Sequence, residues 1–115
     1  AKGQTEWKFP LVTAMVGEPL VAGEKLYVSL ESSLICLDLN TGQPVWTQSG
    51  LFQLSAPACD GQWLYVGVGS ELRVLRFDGE IEWKTVLPAP LAGPPVLGTH
   101  IFLATVQGEG ICLVP

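Results

Sequence analysis

The sequence contains few charged residues, and basic residues are the scarcest of them. Of its 115 residues, 15% are charged, with 6 Lys and Arg against 11 Asp and Glu, so the net charge is −5. Soluble domains carry about 25% charged residues on average. A disordered chain is more polar and a nucleic-acid-binding domain has a basic excess, so both classes are poor interpretations. The length suffices for one domain at most.

Long apolar runs and helical patterns are also absent. No stretch approaches the roughly 18 uninterrupted apolar residues that a membrane-spanning helix needs, so we expect no membrane span. No window keeps helical periodicity for three turns, and 13 glycines and 9 prolines interrupt the apolar residues. The N-terminus AKGQTEWKFP has neither an initiator Met nor a signal-like apolar core, and we expect the chain to be part of a longer one.

Several landmarks repeat along the chain with a period of about 38 residues, which favours a repeat architecture. A glycine is followed four residues later by a tryptophan at Gly3/Trp7, Gly42/Trp46 and Gly79/Trp83. A proline is followed four residues later by a glycine at Pro19, Pro57 and Pro94. An aromatic residue between two aliphatic residues occurs at Tyr27, Tyr65 and Phe102.

Each period contains the pattern of four short strands. β-branched and aromatic runs of about six residues are bounded by Gly, Pro or Ser, as strands are. Tight turns are predicted at Asn40-Thr41-Gly42 and Asp78-Gly79, where glycine supplies the positive φ of a hairpin. In chain order, the predicted strands are Met15–Ala22, Lys25–Leu30, Leu34–Leu39, Gly42–Trp46, Leu54–Cys59, Trp63–Val68, Leu72–Phe77, Gly79–Trp83, Ala92–Leu97 and His100–Thr105.

A repeated four-stranded unit of this length is typical of β-propeller blades. The run LYVSLESSLICLDLNTGQPVW resembles the repeat of the quinoprotein-type propellers, the PQQ-like repeat family, and WLYVGVGSELRVLRFDGEIEW resembles a second copy in which Arg76 replaces the usual strand-end Asp. A third copy matches through Ile111-Cys112-Leu113. The expected fold is all-β, a β-propeller sector of about three four-stranded antiparallel blades. We divide the chain into residues 1–9, which complete a neighbouring blade, repeats 10–47 and 48–84, and an incomplete repeat 85–115.

The periodic tryptophans have a structural interpretation. The resemblance implies that Trp7, Trp46 and Trp83 dock between neighbouring blades. The alternative, stacking platforms for a quinone or a sugar, fits less well because one ligand needs a unique wall rather than a recurring one. Trp63 lies outside the series and is interpreted as partial core or a subunit contact.

The cysteines and the single histidine form no recognisable site. Cys36 and Cys112 occupy the same place two repeats apart, too far for a disulfide, and with Cys59 they are interpreted as small buried hydrophobic residues. Unpaired cysteines weakly favour a cytoplasmic location, although relatives in the resembled family are often periplasmic or secreted. His100 is alone at a strand start and is assigned a surface or capping role.

A ring of carboxylates is the remaining candidate for a cation site. Glu31, Glu71 and Glu109 each fall near the loop between the second and third strands of a repeat, where oxygen ligands could hold a cation. Solvated turn residues are the favoured interpretation, because the three belong to different blades. No Ser/His/Asp arrangement or phosphate-binding glycine loop is present.

The favoured functional hypothesis is a non-catalytic propeller that presents a protein-binding or scaffolding surface, similar to outer-membrane assembly lipoproteins and sensor propellers with this repeat. The contacts are predicted in the loops Phe9–Thr13, Gln48–Phe52 and Val86–Leu91, through Phe9, Leu11, Phe52 and Leu87. The alternative is a segment of a quinone-dependent dehydrogenase whose catalytic residues lie outside this chain. Only that alternative implies a cofactor, pyrroloquinoline quinone. A third possibility is a purely structural unit.

Further propeller blades are the expected structural partner. Three blades leave apolar faces open at both ends, because complete rings have four to eight blades. The last residues ICLVP followed by the first residues AKGQTEW match ICLDLNTGQPVW in length and pattern. The missing blades therefore come from the rest of a longer chain or from a second copy, and we favour the longer chain.

Overall fold

The computed structural model describes residues 3–114 and consists of three antiparallel sheets, with no helix among those residues. Sheet 1 contains β1 (Leu20–Ala22), β2 (Lys25–Ser29), β3 (Ser33–Asp38) and β4 (Pro44–Ser49). Sheet 2 contains β5 (Ala58–Cys59), β6 (Leu64–Val68), β7 (Glu71–Leu75) and β8 (Ile81–Val86). Sheet 3 contains β9 (Val96–Leu97), β10 (Ile101–Ala104) and β11 (Gly110–Leu113). In each sheet the strands pair in chain order, and β1, β5 and β9 lie side by side.

The second and third strands of sheets 1 and 2 agree with the sequence prediction. The first strand of each sheet, which lies innermost, is shorter than predicted. The segments predicted as Leu54–Cys59 and Ala92–Leu97 form only the two-residue strands β5 and β9. Pro57 directly precedes β5, and a proline cannot donate a hydrogen bond to a neighbouring strand. Upstream of these strands, pairing is reduced to isolated bridges of Leu54 with Val68 and of Leu91 with Thr105.

The fourth strands of sheets 1 and 2, which form their outer edges, begin later than predicted. Gly42 and Gly79 have φ values of 74° and 91°, so both glycines belong to the turns and not to the strands. Consequently β4 begins at Pro44 and β8 at Ile81. The ladder to the third strand shifts register at equivalent places, Cys36/Leu37 and Val74/Leu75.

Sheet 3 has no fourth strand among the described residues, and residues 4–10 form no strand. A strand is defined by pairing, and within residues 3–114 no strand pairs with this N-terminal segment. Ala1, Lys2 and Pro115, which belong to the predicted end segments 1–9 and 85–115, lie outside the described residues.

The core lies between the sheets because side chains alternate along each strand. We call the face of a sheet that points to the next sheet in chain order its leading face, and the opposite face its trailing face. The leading face of sheet 1 contributes Tyr27, Leu34 and Cys36 to a first core cluster. The trailing face of sheet 2 covers them through Leu64, Val66 and Leu75.

The same arrangement recurs one sheet further along. Tyr65, Leu72 and Val74 on the leading face of sheet 2 pack against Ile101 and Leu103 of sheet 3. Full burial of each such side chain contributes about 1.5–3 kcal/mol to folding. A third cluster on the trailing face of sheet 1 comprises Val28, Leu30, Ile35 and Leu37, with Trp7, Phe9 and Leu26 packed against it.

Candidate functional site

The ends of the sheets form two rims that differ in character. The connections between sheets and the loops between second and third strands lie at one end, which we call the loop rim (residues 10–19, 30–32, 50–57, 69–70, 87–95 and 105–109). The tight turns lie at the other end, the turn rim (residues 23–24, 39–43, 60–63, 76–80 and 98–100).

Backbone hydrogen bonds fix the loop rim to the sheets. The amide of Gly69 donates to the carbonyl of Phe52 at 2.9 Å. The amide of Leu87 donates to the carbonyl of Ser70 at 2.8 Å. In sheet 3, the amide of Val106 donates to the carbonyl of Pro90 at 2.8 Å. Because each connection is bonded to the hairpin loop beside it, the rim is a defined surface.

The four predicted contact residues have different environments. Phe52 is 63% exposed on the loop rim, where its ring lies over Gly69, and Leu11 is 38% exposed. Phe9 is half-buried in the third core cluster. Leu87 is 5% exposed and packs in the second cluster, so the prediction of an exposed Leu87 is wrong. Its side chain is enclosed by residues of sheets 2 and 3, a long-range contact that the local sequence does not show.

Further apolar side chains are exposed on or directly beside this rim, and sequence reasoning did not single them out, although its predicted loops Phe9–Thr13 and Val86–Leu91 include two of them. Val12 and Val86 are 89% and 79% exposed, and Val106 and Met15 are also exposed. The only signal for Val12 was its place beside Leu11 in a proline-flanked loop. Val86 could have been found from the alternation of β8, in which it follows Thr85 on the opposite face.

A groove opens at the inner end of the loop rim, where the chain enters the innermost strands. It has a volume of about 470 Å³ and is lined by Gly17, Glu18, Pro19, Leu20, Ala56, Pro57 and Pro94. The periodic prolines of the sequence therefore lie together. A groove that is mainly apolar, beside exposed apolar loops, suits a polypeptide ligand.

Trp7 and Trp46 lie against the turns of the following sheet. The indole of Trp7 donates to the carbonyl of Leu39 at 2.7 Å, and that of Trp46 donates to the carbonyl of Phe77 at 3.0 Å. A Cβ at Gly42 would lie 2.5 Å from the ring of Trp7, so the indole occupies the space that glycine leaves. Trp83 and Trp63 are half-buried against the second cluster.

The three glutamates near the loop rim have separate surroundings. Glu71 forms ion pairs with Arg73 at 3.1 Å and with Lys84 at 3.7 Å, while Glu31 and Glu109 are exposed. Within residues 3–114, no three His, Cys, Asp or Glu side chains are grouped as metal ligands would be. His100 is exposed, and one of its ring nitrogens lies 3.2 Å from the Thr99 hydroxyl.

The cysteines are free, but they are not all buried. Cys36 is fully buried, and burial raises the pKa of its thiol. Cys59 is half-buried, and Cys112 is exposed on the leading face of sheet 3. The expectation of a buried side chain is therefore wrong for Cys112, because no described sheet covers that face.

The tyrosines on the leading faces of sheets 1 and 2 differ in one contact. The hydroxyl of Tyr65 donates to Asp60 at 2.7 Å, and burial, followed by this hydrogen bond, raises the pKa of Tyr65 to about 12. Burial acts to raise the pKa of Asp60, but hydrogen bonds from Tyr65 and from the Trp63 and Gln62 amides outweigh it and keep the pKa below its usual value. The Tyr27 hydroxyl is buried with no oxygen or nitrogen partner among the described residues, and its polar neighbour is the Cys36 thiol, a weak hydrogen-bonding group.

Comparison with known proteins agrees with this architecture. The model of the family described as outer membrane protein assembly factor BamB matches residues 1–50 and 30–113. The chain belongs to this family. The BamB of Bordetella pertussis is 36% identical over 84 residues, which is 70% of this chain and 22% of that protein. The BamB of Burkholderia pseudomallei is 30% identical over 110 residues, which is 86% of this chain and 29% of that protein.

Solved structures show the same fold. The crystal structure of BamB from Moraxella catarrhalis has a TM-score of 0.73 at 14% identity and covers 85% of this chain and 31% of that one. Quinohemoprotein alcohol dehydrogenase from Comamonas testosteroni has a TM-score of 0.65 at 19% identity, covering 79% of this chain and 17% of that one. The predicted β-propeller sector and the PQQ-like repeat family are thus confirmed. The chain spans less than a third of each relative, which is consistent with completion by the rest of a longer chain.

Among the described residues, no helix has the length and apolar character that crossing a membrane would require.

Proposed function

We propose that this chain is a protein-interaction module of a BamB-type propeller and that it binds its partner through the loop rim. The carrying observation is the set of exposed apolar side chains on that rim, headed by Phe52 at 63% and Val12 at 89% exposure. Exposed apolar residues on loops that a rigid sheet holds in place are characteristic of protein-binding surfaces. The relatives are named as assembly factors for outer membrane proteins, so the proposed partner is a component of outer membrane protein assembly.

The groove beside the rim supports an extended or hairpin-like partner segment. Its prolines present apolar surface and no backbone donors, so side-chain packing would dominate recognition there. The side-chain hydroxyl of Thr13 accepts a hydrogen bond from the Glu31 amide at 3.3 Å, which ties the N-terminal part of the rim to the β2–β3 loop. The partner would therefore meet a preformed surface and lose little affinity to the ordering of loops.

A photo-crosslinking experiment tests this proposal. A photoreactive phenylalanine analogue at position 52 should crosslink in cells to a component of outer membrane protein assembly, identified by mass spectrometry. The same analogue at Gln43, an exposed residue on the turn rim, is the matched control and should give no such product. Equal crosslinking at both positions, or none at position 52, contradicts the proposed surface.

Serine substitutions separate binding from stability. Phe52→Ser should reduce partner binding and change the free energy of unfolding by less than about 0.5 kcal/mol, as exposed substitutions do. Leu87→Ser should lower stability by several kcal/mol, because it places a hydroxyl in the second core cluster. If Phe52→Ser leaves binding intact, the rim is not the contact surface.

We also propose that the module acts without a quinone cofactor. Both curated relatives, at 36% and 30% identity, are named as assembly factors, and the Moraxella catarrhalis BamB has a higher TM-score than the Comamonas testosteroni dehydrogenase, 0.73 against 0.65. After incubation with pyrroloquinoline quinone and calcium, no quinone absorbance should elute with the protein on gel filtration. Stoichiometric retention of quinone would favour the dehydrogenase alternative.

A further inference from the structure

A second cavity lies on the turn rim, between sheets 1 and 2 and remote from the proposed contact surface. It has a volume of about 310 Å³ and is lined by Ala22, Gly23, Glu24, Lys25, Tyr27, Cys59, Gly61 and Phe77. Tyr27, whose side chain is fully buried, contributes to this lining. Its hydroxyl has no oxygen or nitrogen partner among the residues described; its polar neighbour is the Cys36 thiol, which pairs with Tyr27 across the ladder and is only a weak hydrogen-bonding group. A buried hydroxyl without a strong partner is costly.

The corresponding place in sheet 2 shows what is missing. In both sheets the tyrosine pairs with a residue of the first strand, Leu20 for Tyr27 and Ala58 for Tyr65, which lies two positions before Ala22 and Asp60, respectively. The same register makes Asp60 the equivalent of Ala22. Asp60 accepts the hydrogen bond of Tyr65, whereas the methyl group of Ala22 cannot accept one from Tyr27.

The charges around the cavity favour an uncharged acceptor. Lys25 is the cation in the lining, and its ammonium lies 4.0 Å from the Asp38 carboxylate, which offsets it. Glu24 adds a further carboxylate to the lining. An anionic ligand would therefore meet more negative than positive charge, whereas a neutral carbonyl could accept from Tyr27 without that repulsion.

We propose that this cavity binds a small uncharged ligand through a carbonyl oxygen that accepts the Tyr27 hydrogen bond, with the apolar part of the ligand against Phe77. Burial raises the pKa of Tyr27, so the hydroxyl stays protonated and acts as a donor. The hydroxyl is closed to solvent, so the proposed binding requires a side chain of the lining to move, and the proposal assigns that movement to Phe77. Phe77 is 37% exposed in a turn, and its ring centroid lies 6.2 Å from that of Tyr27.

Benzamide is the probe for this site, and benzoate is the anionic control of the same shape. Titration of the chain at constant ionic strength should shift the backbone amide NMR signals of Gly23 and Gly61 along a saturating curve with benzamide. Benzoate should bind at least about tenfold more weakly. Equal binding of the two probes, or linear shifts without saturation, would overturn the proposal.

Two conservative variants identify the donor. Tyr27→Phe keeps the ring and should raise the benzamide Kd about tenfold, the effect of losing one hydrogen bond. Ala22→Asn supplies an internal acceptor like that of Asp60 and should abolish saturable binding. Circular dichroism verifies that both variants are folded, and unchanged benzamide binding in folded Tyr27→Phe would also overturn the proposal.

Discussion

The leading faces of sheets 1 and 3 carry equivalent residues in opposite environments. Tyr27 and Cys36 pair across sheet 1 and are 0% exposed, whereas Phe102 and Cys112 pair across sheet 3 and are both exposed, Phe102 at 48%. The residue types hardly differ, so the difference comes from sheet 2, which covers only the first face. Burial in this fold is thus a property of the neighbouring sheet.

On the trailing face of sheet 1, a few side chains of the N-terminal segment bury the apolar residues, and no second sheet is needed. Trp7 and Phe9 pack over Val28, Leu30 and Ile35, each of which is at most 7% exposed. The indole of Trp7 contacts the Gly42 turn much as that of Trp46 contacts the Gly79 turn. The contacts of Trp7 with the Gly42 turn thus match those that Trp46, in the outer strand of sheet 1, makes with the next sheet.

The largest expected effect comes from truncating the two equivalent aromatic residues. Tyr27→Ala should lower the free energy of unfolding by about 3–5 kcal/mol, because it opens a cavity in the first core cluster. Phe102→Ala should cost less than about 1 kcal/mol, since its ring is half exposed. Urea denaturation measures both, and similar losses would show that the face of sheet 3 is already covered.

A second test concerns the cover provided by Trp7. Alanine at Gly42 or at Gly23 must adopt positive φ, which costs about 1–2 kcal/mol in either case. Only the methyl group at position 42 also collides with Trp7, because the Cβ at position 23 meets no atom within 4 Å. Gly42→Ala should therefore cost about 1–3 kcal/mol more than Gly23→Ala.

A double-mutant cycle is the control for this test. In a Trp7→Ala background the excess cost of Gly42→Ala should disappear, because the colliding ring is gone. An excess that persists without the indole would mean that the collision is not the cause.

A smaller effect separates the leading-face tyrosines by pH. Because the folded pKa of Asp60 is lowered, its contribution is fully present above the unfolded pKa of about 3.9 and is lost as pH falls through the folded value. Asp60→Ala should cost about 1 kcal/mol at pH 7, and its stability should converge with that of the wild type as pH falls below about 4. Tyr27→Phe should show no such pH dependence. A pH-independent Asp60→Ala difference would contradict the assignment of the Tyr65 hydrogen bond.

Much of the fold could be predicted from the sequence, because each period repeats the same alternation and the same turn glycines. The positions of Tyr27 and Tyr65, and the turns at Gly42 and Gly79, follow from local residue patterns. The burial of Leu87 could not be predicted from a local pattern, because it depends on a long-range contact with residues of sheet 3.

The candidate sites were less predictable for a related reason. The exposure of Phe52 was expected from its loop. That the Tyr27 hydroxyl lacks a carboxylate partner appears only when the two sheets are compared, because Asp60 accepts from Tyr65 and the equivalent of Asp60 beside Tyr27 is Ala22. The sequence holds that difference, yet only the register of the two ladders gives it a meaning.

Thiol labelling tests most directly whether the leading face of sheet 3 is an open face that another sheet would cover. With a maleimide reagent under native conditions, Cys112 should react at a rate near that of a free peptide thiol. Cys36, its equivalent in sheet 1, should be protected until the protein unfolds. Equal protection of Cys112 and Cys36 in the chain alone would contradict the open-sector architecture.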